Sequence, residues 1–459
     1  MNDGGVMSSV APEEKVGSAL AGENARVGVT ILELRYGLED KPGPIAAVLF
    51  GFQHVLVMFT AMVAAPLVIG QLLNLPPELR ATMLTGVMLG CGIGTIISAL
   101  GLGFVGARLP IVLGAFAVYI GPVVAMAKAT SLAGASTAML IGGVVLFAVS
   151  PIIGKMRALF PPVVVGTLLI ITGITLIRIA VNIAAGVNTP FAGNPLSFVL
   201  TVGSIALILA INRLTRGFWR ALSVFIALVC LYLISIPLGL ANFSLVANAA
   251  WFQIPSIEPY GWFEWPQTSG LIIVIVYHLV AAIYTMSITL ALCKMLGVEG
   301  TERRVRGAVA ADGLGSAIAV LFGGVPLISY DQNVGAISLT GVASRFVVAV
   351  AGAILIVMAL VPKIGALIAV VPPFVLGGTL IFMFGMIAAV GVGILADSMR
   401  SQRDLLLLAA SVGLAMAVDF APPTLFDQVT PSLRILASDG IVIGTVMAVL
   451  LNCLLPDKD

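Results

Sequence analysis

Two stretches decide the fold: Arg108-Leu-Pro110-Ile-Val-Leu-Gly114-Ala-Phe116, and Gly323-Gly324-Val-Pro326-Leu-Ile-Ser-Tyr330-Asp331-Gln332-Asn333-Val-Gly335. Both sit in strongly apolar surroundings, where a continuous spanning helix would be the default. Neither composition permits one. Proline removes an amide donor, glycine is entropically costly, and Val and Ile lose rotamer freedom in a helix. Each stretch therefore reads as an extended segment that turns into a half-helix near the bilayer middle. Irregular backbone at that depth survives only where it is buried in protein or lines a cavity. The two breaks thus predict an internal site between them.

The rest of the chain supplies the membrane setting. Of 459 residues, 60% are hydrophobic and 10% are charged. A soluble chain carries about 25% Asp, Glu, Lys and Arg. A chain with so few charges cannot build a water-exposed surface of this size, which excludes a soluble enzyme, a nucleic-acid-binding module and a disordered scaffold. Cys91, Cys230, Cys293 and Cys453 lie far apart in or beside apolar runs, and read as small core residues. No metal-ligand spacing is present, and no cofactor is expected. Residues 1–43 are mixed and polar, without a signal-peptide core.

A spanning helix needs about 20 mostly apolar residues. Candidate runs centre on 46–72, 82–100, 103–127, 135–152, 160–184, 195–212 and 217–239, then on 268–293, 306–323, 326–341, 345–370, 373–396, 404–421 and 438–455. The expectation is an all-α polytopic membrane protein of about fourteen segments, with both termini cytoplasmic. Charge supports that orientation. The connections then placed inside hold Arg108, Lys155, Arg157, Arg213, Arg216, Arg220, Arg303, Arg304, Arg306, Arg345, Arg400 and Arg403; the other side holds Arg80, Lys128, Arg178, Lys363 and Arg434. The bias is roughly two to one, in the sense of the positive-inside rule. Trp251, Phe252, Tyr260, Trp262, Phe263 and Trp265 suit an outer interfacial belt or an ordinary external loop.

The chain also repeats itself. Pro161-Pro162-Val163-Val164-Val165-Gly166 returns as Pro372-Pro373-Phe374-Val375-Leu376-Gly377, opening the fifth and twelfth segments. An odd separation of seven inverts the second half, giving a 7+7 inverted repeat with short strands in segments three and ten. Paired interrupted segments at matching positions of two halves are a pointer to a transporter's site.

Polar side chains inside spans are costly and default to functional candidates: Gln53, His54, His278, Asp312, Asp331, Gln332 and Asn333. With Tyr36-Gly-Leu-Glu-Asp40-Lys-Pro42, Gly51-Phe-Gln53-His54, Ala311-Asp312-Gly-Leu-Gly315, and Gln332-Asn333-Val-Gly335 followed by Thr340-Gly341, the chain resembles the nucleobase–ascorbate transporters, the nucleobase:cation symporter-2 group of uracil and xanthine permeases. The resemblance runs from about residue 36 to the last segment.

The resemblance implies a core domain (44–152 and 268–370), a gate domain (153–240 and 371–459), an external loop (241–267) and a cytoplasmic tail (1–43). It implies a site between the short strands, with Phe116, Tyr284, Tyr330, Asp331, Gln332 and Asn333 at the substrate and Gln53, His54, Ser287 and Asp312 in the coupling network. It also implies a homodimer in the plasma (inner) membrane. Gln at position 332 is associated in the family with xanthine or urate, Glu with uracil, Pro with ascorbate. The residues agree independently: a side-chain amide offers both a donor and an acceptor to a lactam edge, and aromatic faces stack on bases. Backbone N–H groups at 115–117 and 331–333 are expected to be free for substrate carbonyls. Asp331 and Asn333 also read as a cap and a brace of the half-helix. Asp312 reads equally as a structural acceptor.

One departure stands out. The family's eighth-segment glutamate, linked to base binding and coupling, aligns with Tyr284, and no carboxylate lies in Tyr284-Thr-Met-Ser287-Ile288. A phenol is a poor proton carrier at neutral pH, so coupling is expected to use His54, Asp312 or Asp331. The expected function is a proton-coupled, elevator-type nucleobase transporter, xanthine or urate ahead of uracil. The alternatives are a same-fold carrier of another small solute or anion, or an uncoupled permease. The partners are the base, the proton and the bilayer. Nucleic acid is not among them.

Overall fold

The computed structural model describes residues 34–153, 161–187, 192–261, 263–430 and 437–455. The expected polar tail up to residue 33 lies outside the described residues, as do Lys155, Arg157, Trp262 and Arg434. Helices α1 (Pro44–Leu72) and α2 (Pro77–Leu100) lead to strand β1 (Leu113–Ala115), a single 3-10 turn (Ala117–Tyr119) and the short helix α3 (Ile120–Ala129). Then come α4 (Leu132–Val149), α5 (Pro162–Ala184), α6 (Pro195–Leu214), α7 (Gly217–Ala221), α8 (Ser223–Ser235) and α9 (Ser244–Asn248). The second half runs α10 (Thr268–Met295), α11 (Glu302–Leu321), β2 (Leu327–Ser329), α12 (Gln332–Thr340), α13 (Arg345–Ala359), α14 (Pro362–Ala369), α15 (Pro373–Ser398), α16 (Gln402–Asp419) and α17 (Gly440–Leu454).

Local sequence explains the boundaries. Proline opens α1, α2, α5, α6, α14 and α15, where its missing amide costs nothing. Ser131, Asn194, Thr301, Ser344, Ser401 and Asp439 cap helix starts through their side chains, satisfying amides that the helix itself leaves unpaired. Seven of the described helices are long and apolar enough to cross a bilayer, and eight if α13 and α14 count as one broken span. The run expected over 345–370 is in fact bent by 83° between those two helices, because Pro362 cannot continue the hydrogen-bond ladder. The run expected over 217–239 likewise breaks at Leu222 into α7 and α8.

The two interrupted stretches meet. β1 and β2 pair antiparallel, Leu113 opposite Ser329, Gly114 opposite Ile328 and Ala115 opposite Leu327. All six residues are buried. Each strand then turns into a short helix; α12, at nine residues, is about 14 Å long, roughly half the hydrocarbon thickness. The strands are anchored by helix hydroxyls. Thr95 of α2 accepts from the Leu113 amide at 3.0 Å. Ser316 of α11 accepts from the Leu327 amide at 2.8 Å and donates to the Leu327 carbonyl at 3.1 Å.

Helices cross closely around this centre. α5 lies along α15: a methyl on Gly166 would stand 3.0 Å from the Gly391 carbonyl oxygen, and one on Gly391 2.7 Å from that of Gly166. α2 meets α13 the same way through Gly92 and Gly352. Small residues let apolar backbones approach where no hydrophobic drive exists between helices in lipid. Cys91 and Cys293 are buried as expected, whereas Cys453, at the end of α17, is exposed and Cys230 half-buried. A residue facing lipid needs no protein cover.

Candidate functional site

The segment Leu34–Gly43 is drawn onto the end of α12. Arg35 and Tyr36 amides donate to the Gly341 carbonyl at 2.8 and 3.1 Å, the Ala343 amide donates to Tyr36 at 2.9 Å, and Ser344 donates to the Asp40 carbonyl at 2.6 Å. Gly341 ends α12 with φ +69°, a conformation that favours glycine. The first and last motifs of the sequence are thus one structural unit supporting α12.

In front of α12 lies a cavity of about 50 Å³ lined by Phe116, Tyr284, Tyr330, Asp331 and Gln332, with Ala61 and Ala64 of α1 and Met383, Phe384 and Ile387 of α15. Phe116 and Tyr284 stack, with ring centroids 6.0 Å apart and an interplanar angle of 17°. The Tyr330 ring lies over Gly114, where a side chain would strike it, and its hydroxyl donates to the Ala115 carbonyl at 2.5 Å. Position 114 must therefore be glycine for Tyr330 to lie flat across both strands. Asp331, Gln332, Ala61, Met383 and Ile387 also border a second space of about 550 Å³, which reaches Asn212 and Arg220. Gln332 is exposed there. In its lining Arg220 donates to Asn212 at 3.2 Å.

Five of the six residues expected at the substrate thus line one cavity. The sixth does not. Asn333 is fully buried and turned to α1, its Oδ1 3.4 Å from Nδ1 of His54, which is buried too. The Asn333 amide nitrogen, the other His54 nitrogen and the Gln53 amide nitrogen are buried without a hydrogen-bond partner. Asp331 occupies the N-cap position of α12, but its side chain makes no cap hydrogen bond. The reading of a side-chain cap is corrected: the carboxyl makes none, and is faced by the Tyr284 hydroxyl and by the amides of Asp331 and Gln332. The Phe116 amide, expected to be free, donates to the Pro326 carbonyl at 3.1 Å, because the strand pairing extends one residue past β1.

The expected coupling residues are spread more widely. Asp312, wholly buried, accepts from the Thr285 hydroxyl of α10, from the Ser329 amide at 3.1 Å and from the Ser329 hydroxyl at 2.9 Å. It therefore ties α10 and α11 to β2. Ser287 donates to the Ile283 carbonyl of its own helix at 3.0 Å, which satisfies its hydroxyl locally. His278 holds the Val274 carbonyl at 2.8 Å and packs on Tyr119, centroids 4.9 Å apart.

Sequence reasoning missed the α15 wall of Met383, Phe384 and Ile387, the bracing hydroxyls Thr95 and Ser316, and Arg220 at the vestibule. Only Thr95 and Ser316 carried a signal, as hydroxyls in apolar helices three residues after Gly92 and Gly313. The segment before α10 is also bound down rather than loose: the Gln253 and Glu258 amides donate to the Leu360 and Leu321 carbonyls at 3.1 and 2.9 Å, and Tyr260 donates to Gly323 at 2.6 Å.

Known proteins place this architecture. The chain is 34% identical over 409 residues to the nucleobase transporter PlUacP of Paenibacillus larvae, covering 88% of this chain and 93% of that one. It is 33% identical over 416 residues to the uric acid permease PucJ of Bacillus subtilis, covering 89% and 92%. Its fold resembles the transmembrane domain of the cyanobacterial bicarbonate transporter BicA, with a TM-score of 0.63 at 16% identity over 90% of this chain and 99% of that one. The sequence model of the Permease family matches residues 45–424. The chain is therefore an integral membrane permease, not an enzyme, and belongs to the nucleobase:cation symporter-2 family.

Proposed function

We propose that the protein carries a planar oxopurine, xanthine or urate in preference to uracil, across the plasma membrane together with a proton. The observation that carries this reading is the amide of Gln332, set at the start of α12 and bordering a slot lined by the stacked rings of Phe116 and Tyr284 and by Phe384. A lactam presents N–H and C=O side by side, and a primary amide matches both at once. Aromatic faces add about 1–3 kcal/mol per stacked base in nucleic-acid complexes. A compact inorganic anion would gain neither and would meet the Asp331 carboxyl.

The slot holds roughly one or two waters, less than a bicyclic base needs. The larger vestibule shares its Asp331–Gln332 edge and has Arg220 in its lining, a residue that the charge bias assigns to the cytoplasmic side. We read this as an inward-facing state in which the base enters as α12 and the strands shift against α15. That is the motion of an elevator, a core (44–152, 268–370) sliding on a gate (153–240, 371–459). The fourteen-segment inverted repeat is supported by reciprocal contacts. Gly166 abuts Leu395 and Gly377 abuts Ala184, the same relation read from either helix. The gate is also taken as the homodimer surface.

Uptake of radiolabelled xanthine, urate and uracil into cells lacking their own permeases, with and without a protonophore, tests the reading. Accumulation of an oxopurine that collapses with the protonophore is expected. Failure to accumulate any of the three overturns it.

A further inference from the structure

We propose that Asp331 is the group that binds the transported proton, and that Tyr284 ties its protonation to occupancy of the aromatic slot. This rests on the oxopurine reading above and deepens it.

The chain has no carboxylate on the α10 face that borders the slot; Tyr284 stands there instead. The structure supplies one from the opposite element. Among the described residues lining the slot, Asp331 is the sole carboxyl. Its side chain makes no cap hydrogen bond; it is faced by the Tyr284 hydroxyl and by the amides of Asp331 and Gln332, and the Tyr284 ring is fixed by its stack on Phe116. Asp331 also borders the 550 Å³ vestibule, so water can bring a proton to it directly. The two rival groups lack these properties. His54 is turned to Asn333, and Asp312 is held by Thr285 and Ser329. Neither lines the slot.

The groups around Asp331 leave its charge exposed to what enters. α10 presents Tyr284, the turn after β2 presents Tyr330, and α12 presents Gln332. α7 presents Arg220 in the lining of the vestibule, engaged with Asn212 of α6. α1 contributes Thr60 and apolar side chains, and α15 only apolar ones. With the slot wet, a carboxylate is solvated. When a flat ring displaces that water, an unpaired carboxylate loses solvation and opposes the lactam oxygen with its own lone pairs. A neutral carboxyl donates to that oxygen instead. Base and proton therefore favour each other's binding, and by reciprocity each raises the other's affinity by the same factor. Tyr284 donates to the carboxylate in the empty slot and is free to turn to the base once the carboxyl is neutral.

Calorimetric titration of the purified full chain with xanthine tests this. It is run in two buffers of different ionisation enthalpy, at pH values below xanthine's own ionisation. The wild type is expected to take up about one proton per base, so that affinity falls by up to tenfold per pH unit above the midpoint. Asp331→Asn, which keeps a donor but cannot titrate, is expected to bind more weakly, with no proton uptake and no pH dependence in what remains. Proton uptake retained in Asp331→Asn overturns the proposal and leaves the oxopurine reading standing. So does xanthine binding by the wild type without a proton. Absence of binding of xanthine, urate and uracil to the wild type overturns both. Should Asp331→Asn not bind at all, Tyr284→Phe decides. It keeps the stacked ring and removes the hydroxyl, so the midpoint of the pH dependence is expected to move, and an unmoved midpoint overturns the proposal.

Discussion

The Tyr277 hydroxyl donates to both carboxyl oxygens of Asp439, at 2.8 and 3.0 Å. It joins the middle of α10 to the cap of α17. Asp439 at the same time accepts from the Val442 amide at 3.0 Å. Beside it, Asp419 accepts from Thr175 and from the Gly440 amide at 3.2 Å, and Arg178 holds the Asp419 carbonyl. This cluster thus ties α10, α5, α16 and α17 together. On the elevator reading, the bolt spans core and gate on the external side and holds that side closed.

Tyr277→Phe removes the bolt while keeping the ring. A hydrogen bond to a charged group is worth about 1.5–3 kcal/mol, so thermal unfolding in detergent should shift down by that equivalent. External labelling of a cysteine introduced beside Asp439 should also rise. An unchanged melting temperature and unchanged labelling would show that the contact holds nothing.

Gln332→Ala removes the amide at the slot. Losing a paired donor and acceptor costs about 1–3 kcal/mol in binding, or roughly 5- to 150-fold in affinity. Gln332→Glu keeps an acceptor and should tilt the preference from xanthine toward uracil, measured by competition against labelled xanthine. Full xanthine affinity in Gln332→Ala would remove the basis of the oxopurine reading.

Asp312→Asn replaces one of the acceptor oxygens that hold Thr285 and Ser329 with a donor. Because that carboxyl anchors β2 rather than lining the slot, stability and xanthine binding are expected to fall together. A variant that binds normally and melts normally but fails to accumulate substrate would assign Asp312 a proton-relay role instead.

Gly114→Val would drive a side chain into the Tyr330 ring. Overpacking of this kind costs about 1–3 kcal/mol, and here it must also displace the ring from the slot. Base binding should be lost with the fold largely retained, read by titration alongside a thermal melt. Tyr330→Phe, which loses only the bond to the Ala115 carbonyl, should cost about 1 kcal/mol.

Much of this was legible in the residues. The breaks at 108–116 and 323–335 were readable because proline and glycine act locally, on the backbone that carries them. The membrane setting was readable because solvation depends on composition. Segment ends were readable within a few residues where proline or a capping side chain fixed them, and misread where apolarity continued across Leu222 and across Leu360 despite Pro362.

What tertiary structure alone decided is direction. Asp331, Gln332 and Asn333 are consecutive, yet one meets Tyr284, one opens to the vestibule and one turns to His54, 279 positions away. Consecutive side chains at the start of a helix fan out by about 100° each, so which surfaces they meet depends on how α1, α10 and α15 pack around them. The same holds for the α15 wall and for Thr95 and Ser316, whose partners lie on other elements. Sequence sets where a membrane chain must break, because the backbone's needs are local. Packing sets what the broken ends face, because that depends on contacts between segments that no single segment encodes.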